Sequence, residues 1–390
     1  MCKVSENPRN SNFAPHLNLG YMRLFAGISL DTPPSGACHP CLRVIQTGKG
    51  RCCLTPKGSA IISTTANQGA QKGTVFMQER FTSSHLDTWR REGGVLIERF
   101  FTPEEVAAVV ADFDAIYDQS TGGNEALDKK KEGQIGRFHP TQFIGIQPVP
   151  IECSPALNLI GVHPALISFA KAALKSNDVH VYQCQVWAKF TGESDYDQPF
   201  HTDFSNHTLT VPSEDAHLNS VTILCYFTDV SEAHGPAHYV PRPDSARVGG
   251  PELSFSRDPD VQQRLQRGLQ QYDRSTASPA GSIFPYSIDV YHRGTNLTAS
   301  HGRRYALMTC FKAASNDAIA FHAWAFHHLR PWNRIFDNAS TEQLACFGVP
   351  RPGHAFWTPL TLERAQVRYP NWNLALYREA LETKRANGAS

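Results

Sequence analysis

The sequence predicts a mostly β domain with supporting helices, built as a β-sandwich or a jelly roll. From residue 179 onward, apolar and polar residues alternate with a period of two, which is the period of a strand. Several such segments follow one another, and two helical segments precede them. Two facing sheets bury the apolar faces of such strands, and the early helices add further cover.

The first convincing elements lie between residues 86 and 117. Residues 86–92 have helical character, and VLIERF (95–100) has the composition of a strand. Thr102 is a helix cap, Pro103 suits the first turn, and the glutamates that follow favour the positive end of a helix. We therefore expect a helix that runs to about Tyr117, and a second amphipathic helix over residues 163–175.

The second part of the chain is dominated by strand patterns. One polar helix, DPDVQQRLQRGLQQY (258–272), is inserted between them. The predicted strands are VHVYQCQVWAKF (179–190), SVTILCYFTDV (220–230), PAHYVP (236–241), GSIFPYSIDVYHRG (281–294) and RRYALMTCFKAA (303–314).

Three regions are expected along the chain. Residues 1–76 are rich in Ser, Thr, Gly, Pro and Asn, and they form a disordered leader or an extension upstream of a natural start at Met77. Residues 77–315 form the jelly-roll domain. Residues 316–390 are an irregular, aromatic C-terminal extension that packs on the domain and ends in a helix at 371–384. A basic, acid-poor leader is also typical of organelle targeting, which is the second interpretation.

Composition excludes several classes of function. A net charge of +1 over 390 residues argues against a nucleic-acid binder, and no stretch has the roughly 18 apolar residues of a membrane span. The pattern of a secretory signal is missing at the start, so a cytoplasmic location is expected. Five cysteines lie mostly among apolar neighbours, as free thiols of a reducing compartment do: Cys153, Cys184, Cys225, Cys310 and Cys346.

A candidate metal site comes from QPFHTDFSNHTL (198–209) and DVYHRG (289–294). His201 and Asp203 are two residues apart, so on a strand both side chains point to the same face. His292 comes at the end of a strand, before the turn residues Gly294 and Asn296. Two histidines and one carboxylate on one face of an octahedral metal are the ligand set of non-haem Fe(II) oxygenases.

An arginine after His292 completes the pattern. Arg303 and Arg304 open the next strand, and a guanidinium is suited to bind a carboxylate through two hydrogen bonds. Alternation along a strand turns only one of the two inward.

These segments resemble the phytanoyl-CoA dioxygenase family of Fe(II)/2-oxoglutarate-dependent oxygenases. The resemblance covers roughly residues 86–315, including LDTWRREGGVLIERFFTPEEV, HTDF, HGPAHYVPRPDS and the segment from His292 to Arg303. It departs from the family around Asn296, and in Pro241-Arg-Pro-Asp-Ser245, where relatives usually have Pro-Gly-Ser-His. The resemblance implies a cupin-like double-stranded β-helix, in agreement with the strand pattern.

The resemblance also implies residue roles. His201, Asp203 and His292 would bind Fe(II), and the carboxylate of Asp203 favours hydroxylation over halogenation. Arg303, favoured by counting from His292, would hold the distal carboxylate of the co-substrate 2-oxoglutarate. Gln185 and Lys189 match positions that contact co-substrate or substrate. The other partners would be dioxygen and a small organic substrate, with ascorbate as the reductant in vitro and succinate and CO2 as products.

Two alternatives remain open at the level of sequence. A metal enzyme could use the same triad without 2-oxoglutarate, in which case both arginines would point away from the metal. A non-catalytic jelly-roll binding protein with a degenerate motif would retain no iron. The substrate and the oligomeric state are not readable from the residues.

Overall fold

The structure is a computed structural model that describes residues 80–117, 146–191, 197–208, 211–256, 258–319 and 330–386. The predicted leader, residues 1–76, lies outside the described residues. The account below concerns the described ranges.

Two capped helices open the domain. Helix α1 spans Ser83–Glu92 and helix α2 spans Pro103–Ile116. At the start of α2 the Thr102 hydroxyl accepts from the backbone N–H of Glu105, and the Glu105 carboxylate accepts from the backbone N–H of Thr102. Pro103 occupies the first turn, where a missing N–H costs nothing. The predicted start and end of this helix are confirmed.

The segment between these helices is not a regular strand. Residues 95–100 were expected to form one, but the segment makes only isolated bridges, from Gly94 to Tyr286 and from Ile97 to Ile283. The apolar side chains still pack in the core, because the segment lies along the edge of a sheet. The prediction of burial was right, and the prediction of a strand was wrong.

The next two helices belong to the core. The stretch Pro155–Ala173 is apolar and long enough to cross a membrane by length and composition alone. It is divided into α3 (Pro155–Ile160) and α4 (Pro164–Ala173), and 61% of the stretch tested is buried inside the protein. A buried core helix passes the same test as a membrane span, so the stretch is assigned to the core. Helix α4 confirms the helix predicted over residues 163–175.

Eight strands form two sheets, and every pairing between them is antiparallel. The strands are β1 (Gln147–Pro148), β2 (Val179–Phe190), β3 (Ser220–Tyr226), β4 (Ala237–Val240), β5 (Arg274–Ser275), β6 (Ile283–Ser287), β7 (Tyr291–Gly294) and β8 (Arg303–Ala313). The larger sheet has the order β1-β2-β8-β3-β6, and the smaller has the order β5-β4-β7. Strands β1 to β3 lie in the larger sheet and β4 and β5 in the smaller, and from β5 to β8 consecutive strands alternate between the two sheets. This arrangement is consistent with the expected jelly roll.

One further strand prediction needs correction. The segment 281–294 is not one strand but two, β6 and β7, which belong to different sheets. The turn between them is closed by a hydrogen bond from the backbone N–H of Val290 to the carbonyl of Ser287. The polar helix predicted over 258–272 is present as α7 (Pro259–Gln270), after the short helices α5 (Phe204–His207) and α6 (Arg242–Val248).

The two faces of the larger sheet differ. On β8, the side chains of Tyr305, Leu307 and Phe311 join the main apolar core, which includes residues of α1 to α4. The side chains of Ala306 and Cys310 join separate clusters on the opposite face. We call the Tyr305 side the outer face and the Ala306 side the inner face, because the Ala306 cluster includes Tyr239 of the smaller sheet.

The C-terminal segment is more helical than the sequence indicated. It forms α8 (Asn333–Phe336), α9 (Thr341–Cys346), α10 (Pro359–Arg368) and α11 (Ala375–Ala386). Its aromatic residues pack on one another and extend the main core, and Lys171 of α4 forms an ion pair with Glu342 of α9. In the described residues the helices hold more residues than the strands, so the sheets are the centre of the fold but not its larger part.

The five cysteines of the described residues are free thiols, as predicted. Cys184, Cys225, Cys310 and Cys346 are buried, and Cys153 is half-buried. Burial raises the pKa of the Cys184 and Cys346 thiols to about 12, which keeps them protonated and unreactive.

Candidate metal centre

The structure brings His201, Asp203 and His292 together. One donor atom from each lies within 4.8 Å of the other two, and this is the one such group of three or more His, Cys, Asp or Glu side chains in the described part of the chain. The Nε2 atom of His292 lies 3.5 Å from Oδ1 of Asp203, and Nε2 of His201 lies 4.0 Å from the same oxygen. The Oδ1 oxygen therefore faces both imidazoles.

Backbone pairing fixes the two histidines. His201 and His292 exchange two backbone hydrogen bonds, of 3.0 and 2.9 Å, in an isolated antiparallel bridge. Next to this bridge, the side chain of Gln198 accepts from the backbone N–H of Gly294 at 2.6 Å. The segment that carries His201 thus runs along the free edge of β7, which places both imidazoles side by side with ring centroids 4.4 Å apart.

The third member is placed differently from the prediction. His201 and Asp203 were expected on one strand, but the strand-like pairing ends at His201, and Asp203 has helical backbone angles at the start of α5. The backbone N–H of Asp203 donates to the carbonyl of Ile288, which holds the turn against the β6–β7 connection. The two side chains converge because of this turn and not because of strand alternation.

In both imidazoles, the lone pair that could bind a metal is on Nε2. Nδ1 of His201 lies 3.1 Å from the carbonyl oxygen of Pro199, and Nδ1 of His292 lies 3.1 Å from that of Val290. A carbonyl only accepts hydrogen bonds, so Nδ1 carries the proton in both neutral rings and Nε2 carries the lone pair. Metal-binding histidines commonly have this arrangement.

Asp203 is held in its charged form. Burial would raise the pKa of its carboxyl, but the nearby His292, His207 and His201 and the hydroxyl of Tyr286 outweigh burial and lower it. Asp203 is only 9% exposed, so these neighbours are its main environment. A buried carboxylate that stays ionised among histidines is a suitable ligand for a divalent cation.

Arg303 does not lie near the triad. Its side chain is 46% exposed, forms a 3.0 Å ion pair with Asp114 of α2 and lies over the ring of Tyr305. Tyr305 itself stacks on Phe113 of α2 with ring centroids 4.7 Å apart, which marks the outer face. The sequence-based choice of Arg303 as the co-substrate residue is therefore corrected, because β8 turns this side chain away from the triad.

Arg304 takes the inward place. It is 5% exposed and donates a hydrogen bond from Nη1 to the carbonyl of Gly235, which follows β3 and precedes β4. It shares the inner face of β8 with Met308, whose Sδ lies 3.8 Å from the hydroxyl of Tyr286 beside the triad. Both Arg304 and the triad are thus on the inner side of the larger sheet.

The two polar residues predicted on β2 also face inward. Lys189 is the cross-strand partner of Arg304, and its ammonium donates to the carbonyl of Thr295 at 3.0 Å. Gln185 is the cross-strand partner of Met308, and Trp187 lies between it and Lys189 on the same face of β2. The structure brings both residues to the inner face, which agrees with the predicted positions and leaves their roles to be tested.

Two inner-face groups were missed by sequence reasoning. The hydroxyl of Tyr286 donates to Oδ2 of Asp203 at 3.1 Å. Behind the triad, the hydroxyl of Tyr182 lies 2.8 Å from Nδ1 of His207 and 2.9 Å from Oγ of Ser220. Aromatic residues in strands are usually plain core, and the signal that was available is that a buried tyrosine hydroxyl needs a partner.

A family model for phytanoyl-CoA dioxygenase (PhyH) matches residues 89–305 of the chain, which is more than half of its length. The matched range contains the triad, Gln185, Lys189 and both arginines. No curated protein matches the chain.

Several solved structures are similar over most of their own length. The non-heme alpha ketoglutarate dependent carbocyclase SnoK from nogalamycin biosynthesis is 18% identical with a TM-score of 0.45, over 64% of this chain and 90% of that one. EctD from S. alaskensis in its apoform is 15% identical with a TM-score of 0.44, over 65% of this chain and 83% of that one. AviO1 from Streptomyces viridochromogenes Tue57 is 12% identical with a TM-score of 0.42, over 61% and 98%.

Proposed function

The chain belongs to the phytanoyl-CoA dioxygenase family, and we propose that this oxidoreductase hydroxylates a small organic substrate with Fe(II), 2-oxoglutarate and dioxygen. One observation carries the proposal. The donor atoms of His201, Asp203 and His292 lie within 4.8 Å of one another on the same inner side to which β8 turns Arg304. The proposed fold around this site is a jelly roll.

The donor set fits an Fe(II) ion. Two neutral imidazole Nε2 atoms and one ionised carboxylate oxygen are three protein ligands, and an octahedral metal then keeps three positions for other molecules. When bound there, the iron would supply the activation of dioxygen and the oxidation of the substrate. The chain's own contribution is the orientation of the two imidazoles. The carbonyl oxygens of Pro199 and Val290 hold them by accepting hydrogen bonds from Nδ1 of His201 and of His292.

Arg304 and Lys189 would hold the anionic co-substrate. The guanidinium of Arg304 matches the geometry of a carboxylate, and Lys189 adds a second positive charge from the facing strand. Arg304 is buried and Lys189 is half-buried, and a carboxylate gains more from such charges than from charges at the surface. Gln185, between these cations and the triad, would contact the co-substrate or the substrate.

The overall reaction couples two oxidations. Dioxygen provides one oxygen atom to the hydroxylated product and one to succinate, and 2-oxoglutarate loses CO2. The apolar side chains of Phe204, Met308 and Ile319 on the inner side would limit the access of water to the reaction. The free thiols of the described residues fit a reducing compartment, so a cytoplasmic location is part of the proposal.

Succinate production from 2-oxoglutarate tests this function without knowledge of the substrate, because such enzymes often turn over slowly without one. Purified protein is supplied with Fe(II), ascorbate and air. We expect succinate from the wild type and none above background from His201→Ala, which lacks one ligand.

His354→Ala is the matched control, since His354 is an exposed histidine of the C-terminal segment. It should produce succinate at the wild-type rate. A wild type that makes no succinate and retains no iron would contradict the proposed function.

A further inference from the structure

We propose that Tyr286 is a positioning residue that holds Oδ2 of Asp203 by a hydrogen bond, so that only Oδ1 is presented to the metal. The inference rests on the proposed function, since it presupposes a metal at the triad. It concerns how the carboxylate is held, which the identity of the three ligands does not determine.

The two oxygens of Asp203 have different neighbours. Oδ1 faces the two imidazoles, at 3.5 Å from Nε2 of His292 and 4.0 Å from Nε2 of His201. Oδ2 accepts the hydrogen bond of the Tyr286 hydroxyl at 3.1 Å. One oxygen therefore points to the metal position, and the other is held by a protein donor.

The direction of this hydrogen bond is determined by chemistry. A carboxylate oxygen only accepts hydrogen bonds, so the Tyr286 hydroxyl is the donor to Oδ2 of Asp203. The two other acceptors within reach are weaker, because Nε2 of His292 is 3.5 Å away and Sδ of Met308 is 3.8 Å away. A metal on His292 would also occupy the lone pair of Nε2, which leaves Oδ2 as the acceptor.

Tyr286 is itself rigidly placed. Its backbone lies between two neighbours, since it pairs with Thr222 of β3 on one side and with Gly94 on the other. Its ring stacks on Phe284 with centroids 5.2 Å apart and an interplanar angle of 19°, and it lies 4.6 Å from the ring of His292. A donor on a paired strand with a packed ring has little freedom to follow a carboxylate that rotates.

This arrangement has a consequence for the open metal positions. A carboxylate that binds through both oxygens takes two of six positions, whereas one that binds through Oδ1 takes one. A co-substrate that chelates through two atoms, together with dioxygen, needs three. The hydrogen bond from Tyr286 would therefore keep the third position open.

Tyr286→Phe removes the hydroxyl and keeps the ring. The matched control is Tyr226→Phe, because Tyr226 is fully buried in the same apolar cluster and bonds Thr276 and Ala237 instead of the triad. Co(II) is titrated into the metal-free proteins in the absence of 2-oxoglutarate, and its visible absorption gives both the affinity and the coordination number. Thermal unfolding of the metal-free proteins measures the structural cost of each variant.

We expect Tyr286→Phe to bind Co(II) about 10–100-fold more weakly, which is the usual effect of losing a partner of a metal ligand. Its Co(II) spectrum should change toward a higher coordination number, while Tyr226→Phe keeps the wild-type affinity and spectrum. Wild-type affinity and spectrum in Tyr286→Phe would overturn the inference while the proposed function stands. Equal losses in both variants would show a merely structural role, and a wild type that binds no Co(II) would overturn the proposed function with it.

Discussion

Two adjacent arginines on β8 have opposite environments. Arg303 is nearly half exposed and belongs to the outer face, where it contacts Asp114 and Tyr305 under helix α2. Arg304 is 5% exposed and belongs to the inner face, which also contains the triad. The comparison teaches that a shift of one residue along a strand moves a side chain to the other face of the sheet. Under the proposed function, the outer face supplies stability and the inner face supplies chemistry.

The largest expected effect follows from the loss of an inner-face ligand. Asp203→Ala should lower the rate of succinate formation by more than about 100-fold, because even an outer partner of a ligand typically costs 10–100-fold. Its fold should survive, since the backbone bond from Asp203 to Ile288 does not need the side chain. Succinate assays and circular dichroism on the same sample check both statements. Near-normal turnover in Asp203→Ala would contradict the assignment of the chemistry to the inner face.

A substitution on the outer face should lower stability and leave the binding of 2-oxoglutarate unchanged. Leu307 is fully buried in the main core, so Leu307→Ala should lower the free energy of unfolding by about 2–5 kcal/mol. The folded fraction should retain the wild-type KM for 2-oxoglutarate. Urea unfolding and steady-state kinetics at low temperature measure the two quantities. A KM for 2-oxoglutarate that differs from the wild-type value in the folded protein would mean that the two faces are not separate.

The two arginines provide the sharpest test of the comparison. Arg304→Gln should raise the KM for 2-oxoglutarate by about 10–100-fold, since hydrogen bonds to charged groups contribute about 1.5–3 kcal/mol. Arg303→Gln should leave this KM within twofold, because the side chain lies on the other face. The reverse result would restore the sequence-based choice of Arg303.

The smallest effect concerns pH. On the side of β7 opposite to the triad, His238 lies 3.0 Å from Asp273 and 3.2 Å from Glu232, next to Arg293. Burial lowers the pKa of His238, but Asp273 outweighs it and the net pKa is raised. Protonated His238 therefore stabilises the fold below its ordinary pKa, and this stabilisation is lost as the pH rises through the raised value.

Thermal unfolding of wild type and His238→Gln between pH 5 and 9 measures this contribution. The wild type should be the more stable protein at pH 5, by up to about 1 kcal/mol, since one of the two carboxylates is exposed. The difference should shrink toward pH 9. A difference that grows with pH would contradict the assigned sign.

The sequence was most informative where local chemistry decides the structure. The capping box of Thr102 and Glu105 gave the start of α2, and the alternation of residues 179–190 gave β2. The triad could be named because its members are chemically unusual in their surroundings. The capping box, the alternation and the pair of His201 and Asp203 depend on neighbours in the chain, whereas His292 is distant and was included because it completes the ligand set.

The features that were missed depend on pairing across the fold. Alternation shows that one of Arg303 and Arg304 points inward, but the choice depends on the pairing of Arg304 with Lys189, which joins distant segments. The bond from Tyr286 to Asp203 spans 83 positions and leaves no local trace. The last helix, α11, had been predicted at 371–384, whereas α8, α9 and α10 were missed, because the apolar residues of the C-terminal segment pack mainly on one another, without a clear period.

One measurement tests the central claim most directly, namely that the inner face binds iron and 2-oxoglutarate together. Protein loaded with Fe(II) is titrated with 2-oxoglutarate in the absence of oxygen, and the visible charge-transfer absorption of the chelate is recorded. The account predicts a saturable band for the wild type that is missing in His201→Ala. A wild type that retains Fe(II) but gives no band at any concentration of 2-oxoglutarate would contradict it.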